Sequence, residues 1–317
     1  MSTSTGTDSV TSVRPDWTDL PEEVRSSVHD LAQQPVTGDR TQTGGFSSGM
    51  ATRLTLADGT GLFLKGISTD HVLYTRYLEE AAINQALPDT VPVPRLLRSW
   101  ETSGWLLMAF QDIDGRHPQL TPTGPDTDRA LALLNTLPGT VTPTPIADAP
   151  DFADAVGEEI HGWQTLADTG ADLDPWSTRN LAALAAAERS WYTAAQGNTL
   201  LHADLRPDNM LLTGTGAYVI DWAYLHQGAA WVDPVGLTPH LIRAGHTPAQ
   251  AEARMATVTA WASAPTDAVT GFAVALTGYW ERSSRYPGPP GVPYLRPYQA
   301  EMASIGRQWI QHRTGWT

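Results

Sequence analysis

The stretch Leu200-Leu201-His202-Ala203-Asp204-Leu205-Arg206-Pro207-Asp208-Asn209-Met210-Leu211-Leu212, followed by Tyr218-Val219-Ile220-Asp221-Trp222, brackets a run of polar side chains between apolar ones. Such bracketing implies a reactive loop held between two short buried strands. Each polar position has a use in moving a phosphoryl group, where little covalent work is needed and placement plus charge neutralisation dominate. Asp204 would accept a hydrogen bond from an attacking hydroxyl and take its proton late in the reaction. Asn209 offers a neutral carbonyl oxygen and Asp221 a carboxylate, the hard oxygen ligands that magnesium prefers. Upstream, Lys65 is the only lysine among 20 basic residues, and it sits in the apolar strand pattern Gly61-Leu62-Phe63-Leu64-Lys65-Gly66-Ile67. An ammonium there is poorly placed for solubility and well placed to neutralise phosphate oxygens.

Taken singly, Asp208 and Asn209 after Pro207 read as turn residues and Asp204 as a loop cap. Together, the spacing His202-x-Asp204-x-x-x-x-Asn209 and an aspartate just after an apolar strand are those of a kinase catalytic loop and its metal-binding aspartate. His202 reads as the residue that holds this loop by hydrogen bonds, not as a base.

Composition narrows the partners. The 317 residues, 41% of them hydrophobic, can fill one large domain or two lobes sharing a cleft. A formal charge of -14 argues against nucleic acid or an anionic membrane; it suits a cationic substrate in an acidic cleft, and equally serves to keep the protein in solution. There is no cysteine, so sulfur-based zinc sites and disulfides are excluded. The start of the chain lacks the pattern of a secretory signal, and no stretch is apolar for the roughly 20 residues of a membrane span, so a cytoplasmic location is expected.

Elements to position the reactive residues can be placed in order. A Ser, Thr and Gly-rich tail over residues 1–16 is expected to be disordered. Asp19, Pro21, Glu22 and Glu23 start a helix through Leu31. Strands follow over 51–56 and 61–67, joined by a turn at Asp58-Gly59. The pattern from Val72 to Leu87 is helical and is stopped by Val91-Pro92-Val93-Pro94. Two more strands, 96–100 and 105–110, precede a change to long helices, notably Phe152–Ala167, Arg179–Ala195 and Tyr298–Arg313. The reading is an α+β chain: a lobe with a small antiparallel β-sheet over 17–110, a hinge at 111–115, and a larger, mainly α-helical lobe over 116–317.

The loop His202-Ala203-Asp204-Leu205-Arg206-Pro207-Asp208-Asn209 resembles that of the aminoglycoside phosphotransferase family, which shares a two-lobed, protein-kinase-like fold with choline kinases. The family commonly has His-Gly-Asp-Leu-His-Pro-x-Asn, so this chain departs at Ala203 and Arg206. Ala203 should stiffen the loop, and Arg206 could add charge near the phosphates or pair with Asp208. The resemblance runs from about Gly44 to the C-terminus.

It implies ATP and Mg2+ as cofactors, with Lys65 paired to Glu80 on the following helix, or failing that to Glu79. It makes Gly44-Gly45-Phe46-Ser47-Ser48-Gly49 the phosphate-covering loop, with Ser47 and Ser48 as nucleotide contacts. The segment Trp105–Asp112, with Phe110 and Asp112, corresponds to the strand and linker whose backbone binds adenine. Asp233, before Pro234, resembles a family aspartate that caps a helix. Glu158, Glu159 and His161 lie on a helix of the larger lobe and read as a solvated face or, in the alternative, as facing the acceptor.

The implied activity is ATP-dependent transfer of the γ-phosphoryl group to a hydroxyl of a small molecule, an aminoglycoside-like or other antibiotic. Three alternatives stand beside it: a metabolic kinase of the choline or homoserine type, a catalytically inactive nucleotide-binding pseudokinase, and a metal-dependent hydrolase using His202 and Asp204 as ligands. The full set of residues Lys65, Asp204, Asn209 and Asp221 argues against the pseudokinase. The lack of HExxH-type spacing argues against the hydrolase.

Overall fold

The computed structural model describes residues 11–317, which divide into two compact units. The first comprises the chain up to Gln85, Pro94–Asp114 and Pro287–Leu295. The second comprises Ala86–Val93, Gly115–Tyr286 and Arg296–Thr317. The division at Asp114/Gly115 lies inside the 111–115 segment, but the chain is shared between the units at two further places. Ala86–Val93 goes with the second unit, and the Pro- and Gly-rich segment Pro287–Leu295 goes with the first.

In the first unit, helix α1 (Glu22–Ala32) begins after Pro21 with two glutamates in its first turn and ends at Gln33 in a left-handed conformation. Strands β1 (Val36–Thr41), β2 (Met50–Leu56) and β3 (Gly61–Ser68) follow, then helix α2 (Tyr74–Ala86) and strands β4 (Leu96–Thr102) and β5 (Trp105–Gln111). They form one antiparallel sheet in the order β1-β2-β3-β5-β4. The period-2 alternation of β3 sends Leu62 and Leu64 to one face, where they pack with Leu54, Leu107 and the α1 residues Val24 and Val28. Ile67 faces the other way, with Met108, Phe110 and the α2 residues Tyr77 and Ala81, and Phe63 packs at the edge of this second core. Lys65 belongs to that second face by register.

Strand β1 was not expected. Its sequence, Val-Thr-Gly-Asp-Arg-Thr, buries little because it is an edge strand, so no apolar alternation announces it. The tail expected over 1–16 lies outside the described residues up to position 10, and from Thr11 onward the expectation fails. The backbone amides of Thr11 and Ser12 donate to Thr43 O, both at 3.0 Å, and that of Val13 donates to Gly291 O at 2.8 Å.

The second unit is built from helices α3 (Pro125–Thr140), α4 (Phe152–Val156), α5 (Trp163–Asp168), α6 (Pro175–Ala187), α7 (Val232–Arg243), α8 (Pro248–Met255), α9 (Thr259–Ala262), α10 (Thr266–Ser283) and α11 (Leu295–Thr314). Two short antiparallel pairs lie among them: β6 (Thr199–Leu201) with β9 (His226–Gly228), and β7 (Met210–Leu212) with β8 (Ala217–Val219). Four tryptophans, Trp163, Trp191, Trp222 and Trp309, are fully buried in this unit. Among the described residues no helix is long and apolar enough to cross a membrane.

The single helix expected over Phe152–Ala167 is broken into α4 and α5. The break lets Gly162 meet Gly278 of α10 backbone to backbone, where any Cβ would clash. The Glu188 carboxylate then caps the start of α5, accepting from the amides of Gly162, Trp163 and Gln164 at 2.9–3.0 Å. His161, read from sequence as solvated, is buried: Nδ1 accepts from Arg189 Nη2 at 2.9 Å and Nε2 donates to Tyr192 Oη at 2.8 Å. The expected helix Arg179–Ala195 instead begins at Pro175, capped by Asp174, and ends at Ala187.

Candidate active site

In the second unit the polar loop is suspended between β6 and β7, both buried apolar strands. Pro207 starts a single 3-10 turn, Pro207–Asn209, that brings Asn209 round to face Asp204. Asn209 Nδ2 donates to the backbone oxygen of Asp204 at 2.9 Å and to Asp204 Oδ2 at 3.3 Å. This orientation fixes the amide and turns its oxygen away from Asp204. The backbone oxygen of Asn209 accepts from Ile220 N at 2.9 Å, which ties Asp221 to the same loop.

Arg206 organises the carboxylates. Its Nε and Nη2 fork onto Asp208 Oδ1 and Oδ2 at 3.0 and 2.9 Å, and its Nη1 donates to both oxygens of Asp204 at 3.0 and 2.8 Å. A guanidinium suits this double role because its donors lie in one rigid plane. Although 31% of the Asp204 side chain is open to solvent, burial pushes its pKa up to about 6. Arg206 opposes that shift, and the charges of Asp208 and Asp221 add to it. Beside this pair, burial pulls the His240 imidazole of α7 down to about 3, with Arg206 acting in the same direction. His240 is therefore a neutral wall stacked on Tyr298, not a second base.

His202 and Asp233 hold the loop. Nε2 of His202 donates to Ile220 O at 2.9 Å, and Nδ1 accepts from Asp204 N at 3.3 Å, the pattern of a neutral ring. Burial keeps it so by lowering its pKa. Asp233 was read as a helix cap, but its carboxylate serves the loop instead. Oδ2 accepts from His202 N at 2.9 Å and Oδ1 from Ala203 N at 2.8 Å. Ala203 has φ 61°, a left-handed conformation in which glycine is at ease and alanine strained, so these two bonds help to hold it there. Asp233→Ala should therefore leave two enclosed amides without acceptors and lower unfolding stability by about 2–5 kcal/mol. Chemical denaturation would measure the loss.

In the first unit, Lys65 Nζ lies 2.5 and 2.7 Å from the two carboxylate oxygens of Glu80 and 5.4 Å from the centre of the Tyr77 ring. Of the two candidate glutamates, Glu80 reaches the lysine and Glu79 lies a step round the helix. Ser47 Oγ accepts from Arg14 Nη1 at 3.1 Å. His71 Nδ1 accepts from Leu73 N, so Nε2 carries the proton and donates to Ser48 Oγ at 3.2 Å. Gly49 passes directly over the Tyr77 hydroxyl, which would collide with any Cβ there.

Phe110 is buried in the α2-side core, with its backbone paired inside the sheet. The Asp112 carboxylate is held by Arg53 Nε at 2.7 Å, while Arg53 Nη2 donates to Ile113 O at 2.6 Å. Both side chains are thus engaged within the first unit, Phe110 in its core and Asp112 with Arg53.

Among the described residues no three His, Asp or Glu side chains gather into a cage for a metal ion. The donors on hand, one amide oxygen from Asn209 and one carboxylate from Asp221, fit magnesium of the kind that completes its shell with water and phosphate oxygens. Sequence reasoning missed Arg14, Tyr77 and the loop-holding role of Asp233. Only Asp233 carried a local signal, the Asp-Pro pair.

A sequence model of the phosphotransferase enzyme family (APH) matches residues 45–270. No curated protein matches the chain by sequence. Among solved structures, the fold is similar to that of a spectinomycin phosphotransferase in complex with ADP and spectinomycin, at 11% identity and TM-score 0.62, covering 89% of this chain and 97% of that one. It is also similar to a choline/ethanolamine kinase family protein from Mesorhizobium loti, at 18% identity and TM-score 0.60, covering 91% and 94%. A third match is an amicoumacin kinase in complex with AMP-PNP and Ca2+, at 12% identity and TM-score 0.56, covering 92% and 93%. At these identities the likeness establishes the protein-kinase-like fold.

Proposed function

Because the chain belongs to the phosphotransferase enzyme family, we propose that it uses ATP and Mg2+ to phosphorylate a hydroxyl of an antibiotic-like small molecule in the cytoplasm. The observation that carries this reading is the Arg206-centred arrangement: one carboxylate, Asp204, is aimed by Arg206 and Asn209, and burial raises its pKa to about 6. Asp204 accepts the hydrogen bond of the acceptor hydroxyl, orients its lone pair and receives its proton as the new bond to phosphorus forms. Arg206 keeps that carboxylate ionised until then. Asn209 and Asp221 would hold the magnesium ion, which when bound neutralises charge on the phosphate oxygens. Lys65, steadied by Glu80, does the same for the oxygens it touches.

The formal charge of -14 suits a cationic acceptor. The spectinomycin and amicoumacin of two structural neighbours motivate the antibiotic class. The test is ADP release from Mg-ATP in the presence of a panel of hydroxylated compounds, both antibiotics and metabolites. Turnover confined to choline, homoserine or another central metabolite would replace the antibiotic reading with the metabolic one. ATP binding without turnover on any compound would point to a pseudokinase.

A further inference from the structure

The Gly44–Gly49 loop is strapped from outside by the segment that precedes α1. Arg14 Nη2 donates to Gly44 O at 2.8 Å, and Arg14 Nη1 donates to Gly49 O at 2.6 Å as well as to Ser47 Oγ. The hydroxyls of Thr11 and Ser12 both donate to Gly45 O, at 2.8 and 2.7 Å. Val13 is in turn tied to Gly291, whose left-handed turn packs against Ser48. Every one of these contacts lies inside the first unit.

The contacts are selective in kind. They engage the carbonyl oxygens of Gly44, Gly45 and Gly49, whereas the backbone amides of Ser47, Ser48 and Gly49 donate to no acceptor among the described residues. A short loop whose carbonyls are drawn to one side presents its amides on the other, the arrangement that binds phosphate oxygens. Ser48 Oγ already accepts from His71, which leaves its own hydrogen to donate. An arginine whose outer nitrogens are taken up by backbone oxygens, in a chain with so many carboxylates, is placed for shape and not for ion pairing.

Building on the ATP-dependent reading above, we propose that Arg14 is a positioning residue for the nucleotide phosphates: it fixes the carbonyls of the Gly44–Gly49 loop so that the loop amides receive the triphosphate. Arg14→Ala should raise KM for ATP about tenfold, equivalent to about 1.4 kcal/mol, with kcat changed by less than about twofold. Adenosine, which has no phosphates, should bind the variant and the wild type equally in calorimetry. Arg14→Lys keeps the charge but cannot fork from Gly44 to Gly49, so its KM should stay close to that of the alanine variant. Should Arg14→Ala fail to fold, the pair Thr11→Val and Ser12→Ala removes the other side of the strap and should shift KM in the same direction.

An unchanged KM for ATP, equal weakening of ATP and adenosine, or full rescue by lysine would each overturn the strap while leaving the kinase reading intact. A wild-type protein that neither binds nor consumes ATP would overturn both.

Discussion

Asp204→Asn should lower kcat by roughly 10²–10⁴-fold, the range expected when a positioned proton acceptor is removed, while changing the affinity for nucleotide by only a few fold. The amide keeps the shape of the carboxylate but cannot take a proton. The loop should hold its form in the variant, because Arg206 remains forked onto Asp208 and His202 and Ala203 remain tied to Asp233. A loss of kcat without a matching loss of nucleotide affinity therefore isolates the proton-accepting step.

The pH dependence carries the same signature. Burial, the largest cause, raises the Asp204 pKa to about 6, and only the ionised form can accept a proton. The wild-type kcat/KM should fall tenfold per pH unit below about 6, and that limb should be absent from Asp204→Asn. Stability should move in the opposite sense. A carboxylate whose pKa is raised on folding binds its proton more readily in the folded protein, so its contribution to stability declines as pH rises from the ordinary carboxylate range to about 6, and is constant above. The Asn variant lacks that decline, so denaturation midpoints of variant and wild type should separate in the variant's favour between pH 4 and 7.

The second large effect concerns Lys65. Lys65→Met should destabilise the protein by about 3–5 kcal/mol, the range for removing one partner of an enclosed ion pair, because Glu80 is only 2% exposed. It should also depress turnover by roughly 10²–10³-fold, as expected when a stabiliser of transition-state charge is lost. The double variant Lys65→Met/Glu80→Gln separates the two causes. With no buried carboxylate left behind, most of the stability should return, while turnover should stay at the level of the single variant. Thermal melts and ADP release measured on the same preparations check both halves. Recovery of activity along with stability would mean that the lysine serves the fold alone.

The polar loop was legible as a loop because the apolar runs Leu200-Leu201 and Met210-Leu211-Leu212 mark the strands on either side of it. The sheet was legible where its strands are well buried, as in β2, β3 and β5. It failed at β1, whose edge position asks for no hydrophobic pattern. Helix breaks were hidden for another reason. Phe152–Ala167 carries no proline, and what splits it is the approach of Gly278, distant in sequence, to Gly162.

Roles that depend on contacts across long separations were equally invisible. Asp233 has an ordinary helix-start sequence, yet its oxygens go to His202 and Ala203. Arg14 lies in a stretch whose composition suggests disorder, yet its guanidinium meets Gly44, Ser47 and Gly49. Local sequence records what a residue can do, while the partner that decides what it does lies elsewhere in the chain.

The enclosed Lys65–Glu80 pair has a practical side. With one lysine in 317 residues, an acylating reagent has a single side-chain amine to attack, and that amine sits 11% exposed against a carboxylate. Mass tagging thus becomes a gauge of one ion pair: beyond any tag on the α-amine, a shielded lysine stays untagged, and the fraction of chains that gain one further increment of mass records opening of the pair.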